Sequence, residues 1–560
     1  MSRRKAQAQR NPVVNPANGC ALAIVLAIVA SIVLLLCGIV ALISFIEPES
    51  PQPANTATLE LAYTPEKETL MQEIVTRFNK ANYKSPSGET MKINATKMEA
   101  PDIVEAAKLG KFQVISPDSS LWLAQIDAGR DSPLVGEATR FAVTPVVIAM
   151  WNDTAQSLGY PQKQIGWQDL LNKAKSDPNF KWSHPSTSSA SGMLATLAEF
   201  YAGANKTRNL TEDDVKNKAT IDYVSALERT VRYYGEGEQA TIDQVLSKGR
   251  GYLDAFIVSE RLVIYFNGKS SQKLAAIYPI EGTLWQDHPI ALLEQTGLTN
   301  DQRLAYRKLR DLILSADIQK LVLQSGYRPV DLNLRLDDPA SPIKTANGVN
   351  PTQPQTTLQM PSDSVINIVQ SSWYLAKRPA NIYLVVDTSG SMADQNKIGQ
   401  AKDALNTFID QIAGERDRVG LIPFANNVYG QLPLGDIGTQ RATLKNKVNA
   451  LAANGRTAML DGVSYAYDDL VRRNERDRIN AIVVMTDGLE NASSTRIETL
   501  VQRLKQTNKN GLSIIVFGIA YGSDADLKSL NDLSDATGGF ARTADNDTIR
   551  RLYKILSTYF

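Results

Sequence analysis

The sequence predicts an α/β protein in three parts: a transmembrane helix, a first α/β unit, and a second α/β unit with a doubly wound parallel sheet. Three observations carry this. Residues 21–46 form an apolar run without a charged side chain. From residue 57 onward, short β-rich runs alternate with amphipathic helical stretches. After residue 373 the apolar runs become nearly continuous, as strands buried on both faces do.

The 560 residues exceed what one core organises, so several domains are expected. Sixty basic residues against 59 acidic ones argue against nucleic acid as a partner. Segment 21–46 would make a helix about 39 Å long at roughly 1.5 Å per residue, enough for a bilayer core of about 30 Å. Arg3, Arg4, Lys5 and Arg10 precede it, and Glu47 and Glu49 follow. The positive-inside rule then predicts a cytoplasmic tail (1–20), a single-pass signal-anchor (21–46) in the cell membrane, and an extracytoplasmic remainder (47–560). The apolar run is too long for an ordinary cleaved signal peptide. Both cysteines, Cys20 and Cys37, lie in or beside that run, so the exported part has no disulfide to rely on.

A proline-rich spacer, 47–56, leads into the first unit, 57–338. TLELAYT reads as a strand, ETLMQEIVTRFNKAN as a helix, and MKINATKM as a second strand. RFAVTPVVIAMWN is strand-like but broken at Pro145. In HPSTSSASGMLA, the hydroxyls of Ser186, Thr187, Ser188, Ser189 and Ser191 precede a helix expected to start near Met193. Such a loop can receive an anion on free N–H groups, or simply cap the helix. Ser116, Ser119 and Ser120 are candidates to face it across a cleft. Residues 339–372, rich in proline, threonine and asparagine, read as a linker.

The second unit, 373–560, runs strand NIYLVV, helix, strand VGLIPF, a hairpin strand around Val428, two helices, strand AIVVMTD, helix, strand LSIIVFG and two further helices. In a doubly wound sheet, reactive groups gather beyond the carboxyl ends of strands. Asp387 falls there after NIYLVV and Asp487 after AIVVMT, while Thr457 lies in a loop just before a helix. The alternate spacing in DTSGS lets Ser389 and Ser391 turn toward one point, with Gly390 relaxing the backbone between them. Taken singly, these residues have ordinary uses as caps and loop acceptors. Together they make an all-oxygen set suited to Mg²⁺, with Mn²⁺ and Ca²⁺ as alternatives. Asp461 and Asp394 are candidate supporting groups. His184 and His288 are the only histidines and neither is in this unit, so no nucleophile–histidine pair exists there and no enzyme is expected.

On these motifs residues 381–558 resemble a von Willebrand factor type A domain, Rossmann-like in fold. Asp387, Ser389, Ser391, Thr457 and Asp487 match each position of its metal-ion-dependent adhesion site. The resemblance implies a metal-bridged contact with an acidic residue of a partner protein. Residues 57–335 resemble a bacterial solute-binding protein of the two-lobed periplasmic type, on the opening strand–helix pair, ISPDSSLWL, FAVTPVVIAMW and HPSTSSASGMLA. That implies a cleft for a small solute, expected here to be anionic. The function expected is a membrane-anchored adhesive or scaffold protein of the bacterial cell surface. A transport receptor or sensor is the alternative.

Overall fold

A computed structural model describes residues 56–560. The apolar segment 21–46, read above as an anchor, lies outside the described residues. Among those described, no helix is long and apolar enough to cross a membrane.

The first unit has two lobes. Strands β1 (Thr56–Tyr63), β2 (Thr90–Lys97), β3 (Val114–Ser116) and β4 (Val135–Arg140) belong to one sheet. One residue later the chain enters the second lobe with β5 (Ala142–Trp151), the strand around which β6 (Trp182–Ser183), β7 (Ala255–Ser259), β8 (Leu274–Ile277) and β9 (Trp285–Gln286) gather. It then crosses back as β10 (Pro289–Leu293), which completes the first sheet in the order β2-β1-β3-β10-β4. Finally β11 (Arg328–Pro329) joins β5. Pro145 does not break β5. It pairs with Trp285 of the two-residue β9, a short edge strand where a missing N–H costs little.

The second unit is one six-stranded sheet. Its strands are β12 (Ala380–Asp387), β13 (Arg418–Phe424), β14 (Leu432–Asp436), β15 (Ile479–Thr486), β16 (Ile514–Tyr521) and β17 (Ala541–Ala544), ordered β14-β13-β12-β15-β16-β17. All pairings are parallel except β13–β14. The hairpin strand is therefore at 432–436; Val428 makes only an isolated bridge to Phe424. Every residue of β12, β15 and β16 is buried. Alternate side chains serve opposite faces, as a pleated strand requires. Ile382, Leu384 and Val386 meet Leu405 and Phe408 of helix Lys397–Gln411, whereas Tyr383 and Val385 meet Val463 and Leu470 of helix Met459–Arg473.

The stretch read as a linker is not a free tether. Ile343, Val349 and Leu358 are buried within it, and Asp363–Ala376 is a helix that buries Val365, Val369 and Trp373 against the first unit. Its polar composition concealed these few apolar anchors. The hydrophobic core of the second lobe continues through this helix into one face of the second sheet.

Polar contacts reinforce that joint. Arg542 makes a two-pronged ion pair with Glu236 of the second lobe, at 2.8 and 3.2 Å. Lys554 reaches Asp102 of the first lobe at 3.0 Å. Arg232 donates to the Thr537 carbonyl at 2.9 Å and Lys248 to that of Gly539, two cations at the carboxyl end of helix Leu527–Thr537. Tyr559 packs on Phe517, Phe540 and, across the joint, Tyr233. Truncating it should cost about 3 kcal/mol by the usual large-to-small core penalty. We expect Tyr559→Ala to split thermal unfolding into two transitions; one unshifted cooperative transition would show that the units are not coupled there.

Candidate metal centre and inter-lobe cleft

The doubly wound order creates a switch point at β12: the chain turns to β13 on one side and later to β15 on the other. Asp387 ends β12, and Asp487 follows β15. Both are buried, with Ser389 and Thr457. Tight loops hold the group. The Asp387 carboxylate accepts from the Ser389 N–H at 2.7 Å and from Thr486 Oγ1 at 2.6 Å. Gly390 N–H donates to the Gly455 carbonyl, and Asn454 N–H to that of Thr388, binding the serine loop to the loop that carries Thr457.

The hydroxyls converge as the spacing predicts. Ser389 and Ser391 Oγ are 3.1 Å apart, and Ser391 Oγ donates to Asp487 at 2.7 Å. A Cβ on Gly488 would stand 3.5 Å from Thr457 Oγ1 and 3.7 Å from Ser391 Oγ, so glycine there leaves the space between the two hydroxyls open. Burial lifts the Asp387 carboxyl above its ordinary range despite its hydrogen bonds. Two carboxylates and three hydroxyls, all buried except the half-buried Ser391, fit a hard divalent cation.

Two neighbours are not evident from the motif. Thr486 orients Asp387, and Lys397 places its ammonium 2.7 Å from Asp487. Lys397 opens helix Lys397–Gln411, ten residues beyond Asp387, and only the turn through Gln395 and Asn396, both at positive φ, brings it back. Asp461 is occupied elsewhere: it accepts from the N–H groups of Ser494 and Thr495. Asp394 is exposed in the short helical segment after Gly390.

A family model for the von Willebrand factor type A domain matches residues 381–554, and one for bacterial extracellular solute-binding proteins matches 59–328. The chain joins a solute-binding domain to a von Willebrand factor type A domain. Curated relatives match over the type A domain. Calcium-activated chloride channel regulator 1 of Bos taurus is 26% identical over 198 residues, 35% of this chain and 20% of that protein. The uncharacterized protein YfbK of Escherichia coli K12 is 21% identical over 179 residues, 32% of this chain and 30% of that protein. The match thus takes in a third or less of either relative. Among solved structures, a von Willebrand factor type A protein from Catenulispora acidiphila aligns with TM-score 0.29 at 22% identity, over 32% of this chain and 42% of that one. A Streptococcus pneumoniae solute-binding protein, in complex with the blood group A-trisaccharide, aligns with TM-score 0.42 at 13% identity, over 56% of this chain and 94% of that one.

In the solute-binding domain the serine loop meets carboxylates. Helix Ala190–Gly203 starts three residues before Met193, and Ser189 caps it, accepting from Gly192 N–H at 3.2 Å. Ser188 and Ser189 border a cavity of about 20 Å³ between the lobes, room for one water. Glu66, Glu99, Asp118 and Glu238 line the same cavity. Ser116 Oγ is spent on the Pro289 carbonyl, Ser119 Oγ on the Leu121 N–H, and Ser120 N–H on Asp287. Ser186 bonds Ser188, while Thr187 and Ser191 are buried. Glu66 is paired with the buried Lys67 at 2.9 Å, so the lining is rich in carboxyl groups but does not set four free charges against an anion. These acids come from four separate segments and could not be grouped from sequence.

Burial, with Glu236 next, raises Glu99 to about 8; burial, with Glu66 next, raises Glu238 to about 8. Each carboxyl keeps its proton to near pH 8 when folded but loses it near 4.5 when unfolded. The folded state is then the better proton binder across that window, and stability falls as pH rises through it. His288, held neutral by burial, has the opposite effect only below its ordinary 6.5. From about pH 6.5 to about 8.5 the melting temperature should therefore fall, and Glu238→Gln should flatten the slope. An identical slope in the variant would remove Glu238 from the account. At the sheet edge, removing the Lys397 charge (Lys397→Met) should tighten Mg²⁺ binding roughly tenfold, about 1.4 kcal/mol. Calorimetric titration of the full chain reads this directly, and an unchanged affinity would mean the ammonium does not compete.

Proposed function

We propose that this chain is a membrane-anchored, extracytoplasmic protein, anchored by residues 21–46, whose type A domain captures a protein partner through a divalent metal. The observation that carries the reading is the convergence of Asp387, Ser389, Ser391 and Asp487 on the switch point of a sheet whose central strands are buried throughout. When bound, Mg²⁺ supplies an open coordination position for a partner carboxylate. The chain's own residues do the rest. Thr486 and the Ser389 N–H fix Asp387, Ser391 fixes Asp487, and Lys397 offsets part of the negative charge. The exposed Leu489, two residues beyond Asp487, offers an apolar contact beside the carboxylate. No catalytic step is assigned to either domain.

In this reading the solute-binding domain is a scaffold that can still respond to a solute. Its two lobes enclose a water-sized space beside a larger, open cavity of about 380 Å³, and the type A domain grips both of them, through Asp102 on one and Glu236 on the other. Opening the cleft must strain at least one of those ion pairs. Carboxyl groups that hold their protons, as Glu99 and Glu238 do, both donate and accept hydrogen bonds, which suits a hydroxyl-rich solute.

Capture of envelope proteins on the soluble 50–560 fragment tests the main reading. Retention of a partner in Mg²⁺ is expected to disappear in EDTA and in Asp387→Ala. Retention indifferent to both would overturn the metal-bridged contact.

A further inference from the structure

A second group of ligand-type side chains lies far from the sheet edge, inside the solute-binding domain. His184, Glu199 and Glu228 each present a donor atom within 4.8 Å of the other two. All three are closed to solvent, at 1%, 0% and 0% exposure. His184 comes from the loop after β6, Glu199 from helix Ala190–Gly203, and Glu228 from the last turn of helix Lys218–Glu228.

The hydrogen bonds constrain what can occupy the space between them. His184 Nδ1 is 2.7 Å from the Pro185 carbonyl, which can only accept, so Nδ1 carries a proton. Nε2 faces Glu228 Oε2 at 3.3 Å. In the neutral imidazole this sets a lone pair against a carboxylate lone pair. Glu228 has donors from Tyr234 at 2.7 Å and Trp373 at 2.6 Å. Glu199 has none: both of its oxygens are buried without a hydrogen-bond partner. Among the described residues, no lysine or arginine pairs with either carboxylate. Arg378, close by, gives its guanidinium to the carbonyls of Val231 and Arg476 instead. Two buried carboxylates and an imidazole lone pair aimed at one another call for positive charge between them.

We infer that His184, Glu199 and Glu228 form a buried binding site for a divalent cation, Zn²⁺ or Mn²⁺ by donor type, separate from the site at Asp387. A neutral imidazole and two carboxylates carry −2 in sum, which one such ion cancels. Mixed nitrogen and oxygen donors suit these metals better than Mg²⁺. Two ligands at about 2.1 Å in a tetrahedron stand about 3.4 Å apart, close to the 3.3 Å between Nε2 and Glu228. The Nδ1–H bond to a carbonyl is the outer contact that fixes a metal-binding histidine. Through Trp373 on Glu228, and the Arg378 N–H on Tyr234 at 3.0 Å, the site is wired to the segment entering β12. The ion would thus brace the joint between the two domains.

The test uses the full chain carrying Asp387→Ala, so that the sheet-edge site contributes nothing. After loading with Zn²⁺ or Mn²⁺ and desalting, elemental analysis should find about one equivalent of metal. Adding Glu199→Gln, close to isosteric, should abolish retention, and EDTA should lower the melting temperature of the first protein only. Metal-free Asp387→Ala chain, or equal retention in the double variant, would overturn the site. A double variant both metal-free and more stable than its parent, with no metal in that parent, would show instead a proton shared by the two carboxyls. Should the double variant not fold, anomalous scattering from crystals of the Asp387→Ala chain decides: an ion between the three side chains supports the site, and one elsewhere overturns it.

Discussion

Glu228 is the point on which the two halves of this molecule agree. A carboxylate with no access to water must find donors inside the protein, and Glu228 finds Tyr234 on its own domain and Trp373 on the helix that leads into the next. The indole could not reach it unless that helix lay flat on the solute-binding domain, and with the helix fixed, β12 starts only four residues after Ala376. The sheet is therefore launched from a buried contact rather than from a flexible tether. The surface pairs at Arg542 and Lys554 add orientation, but partly exposed ion pairs of this kind contribute little on their own.

That arrangement changes what each domain can do. A solute receptor of two lobes depends on a hinge, here the crossings at Phe141, between Gln286 and Pro289, and just before β11. The type A domain spans the hinge, holding Asp102 and Glu236 on opposite lobes. Closure of the cleft and placement of the type A domain are thus one mechanical variable. The acids in the closed cleft belong to the same balance: protonated they are neutral, and on losing their protons they would repel one another and push the lobes apart.

Much of this was legible in the sequence where the cause is local. Continuous apolar runs announced β12, β15 and β16 because a doubly covered parallel strand tolerates little else. The candidate metal residues could be grouped because each lies directly after a strand or before a helix, where chain order fixes position. The illegible parts depend on distant segments meeting. Lys397 returns to Asp487 only through a left-handed turn at Gln395 and Asn396. Glu66, Glu99, Asp118 and Glu238 become one lining, beside the serine-rich loop, only where the two lobes meet. Polar composition suggested a tether at 339–372, whereas Ile343, Val349 and Leu358 suffice to pin it.

The placement of Asp387 has a mechanical corollary. It lies at one end of β12, and the helix gripped by Glu228 lies just before the other end, Ala380, seven residues away, about 23 Å at roughly 3.3 Å per residue. A partner pulling on Asp387 would draw β12 along its own axis. Parallel neighbours β13 and β15 hold it on both sides by hydrogen bonds that lie across that axis. Tension would then be shared by many bonds in shear rather than concentrated on one at a time, as it is when a hairpin unzips. Under such a load the strand would act as a tendon running to the buried clamp that anchors it.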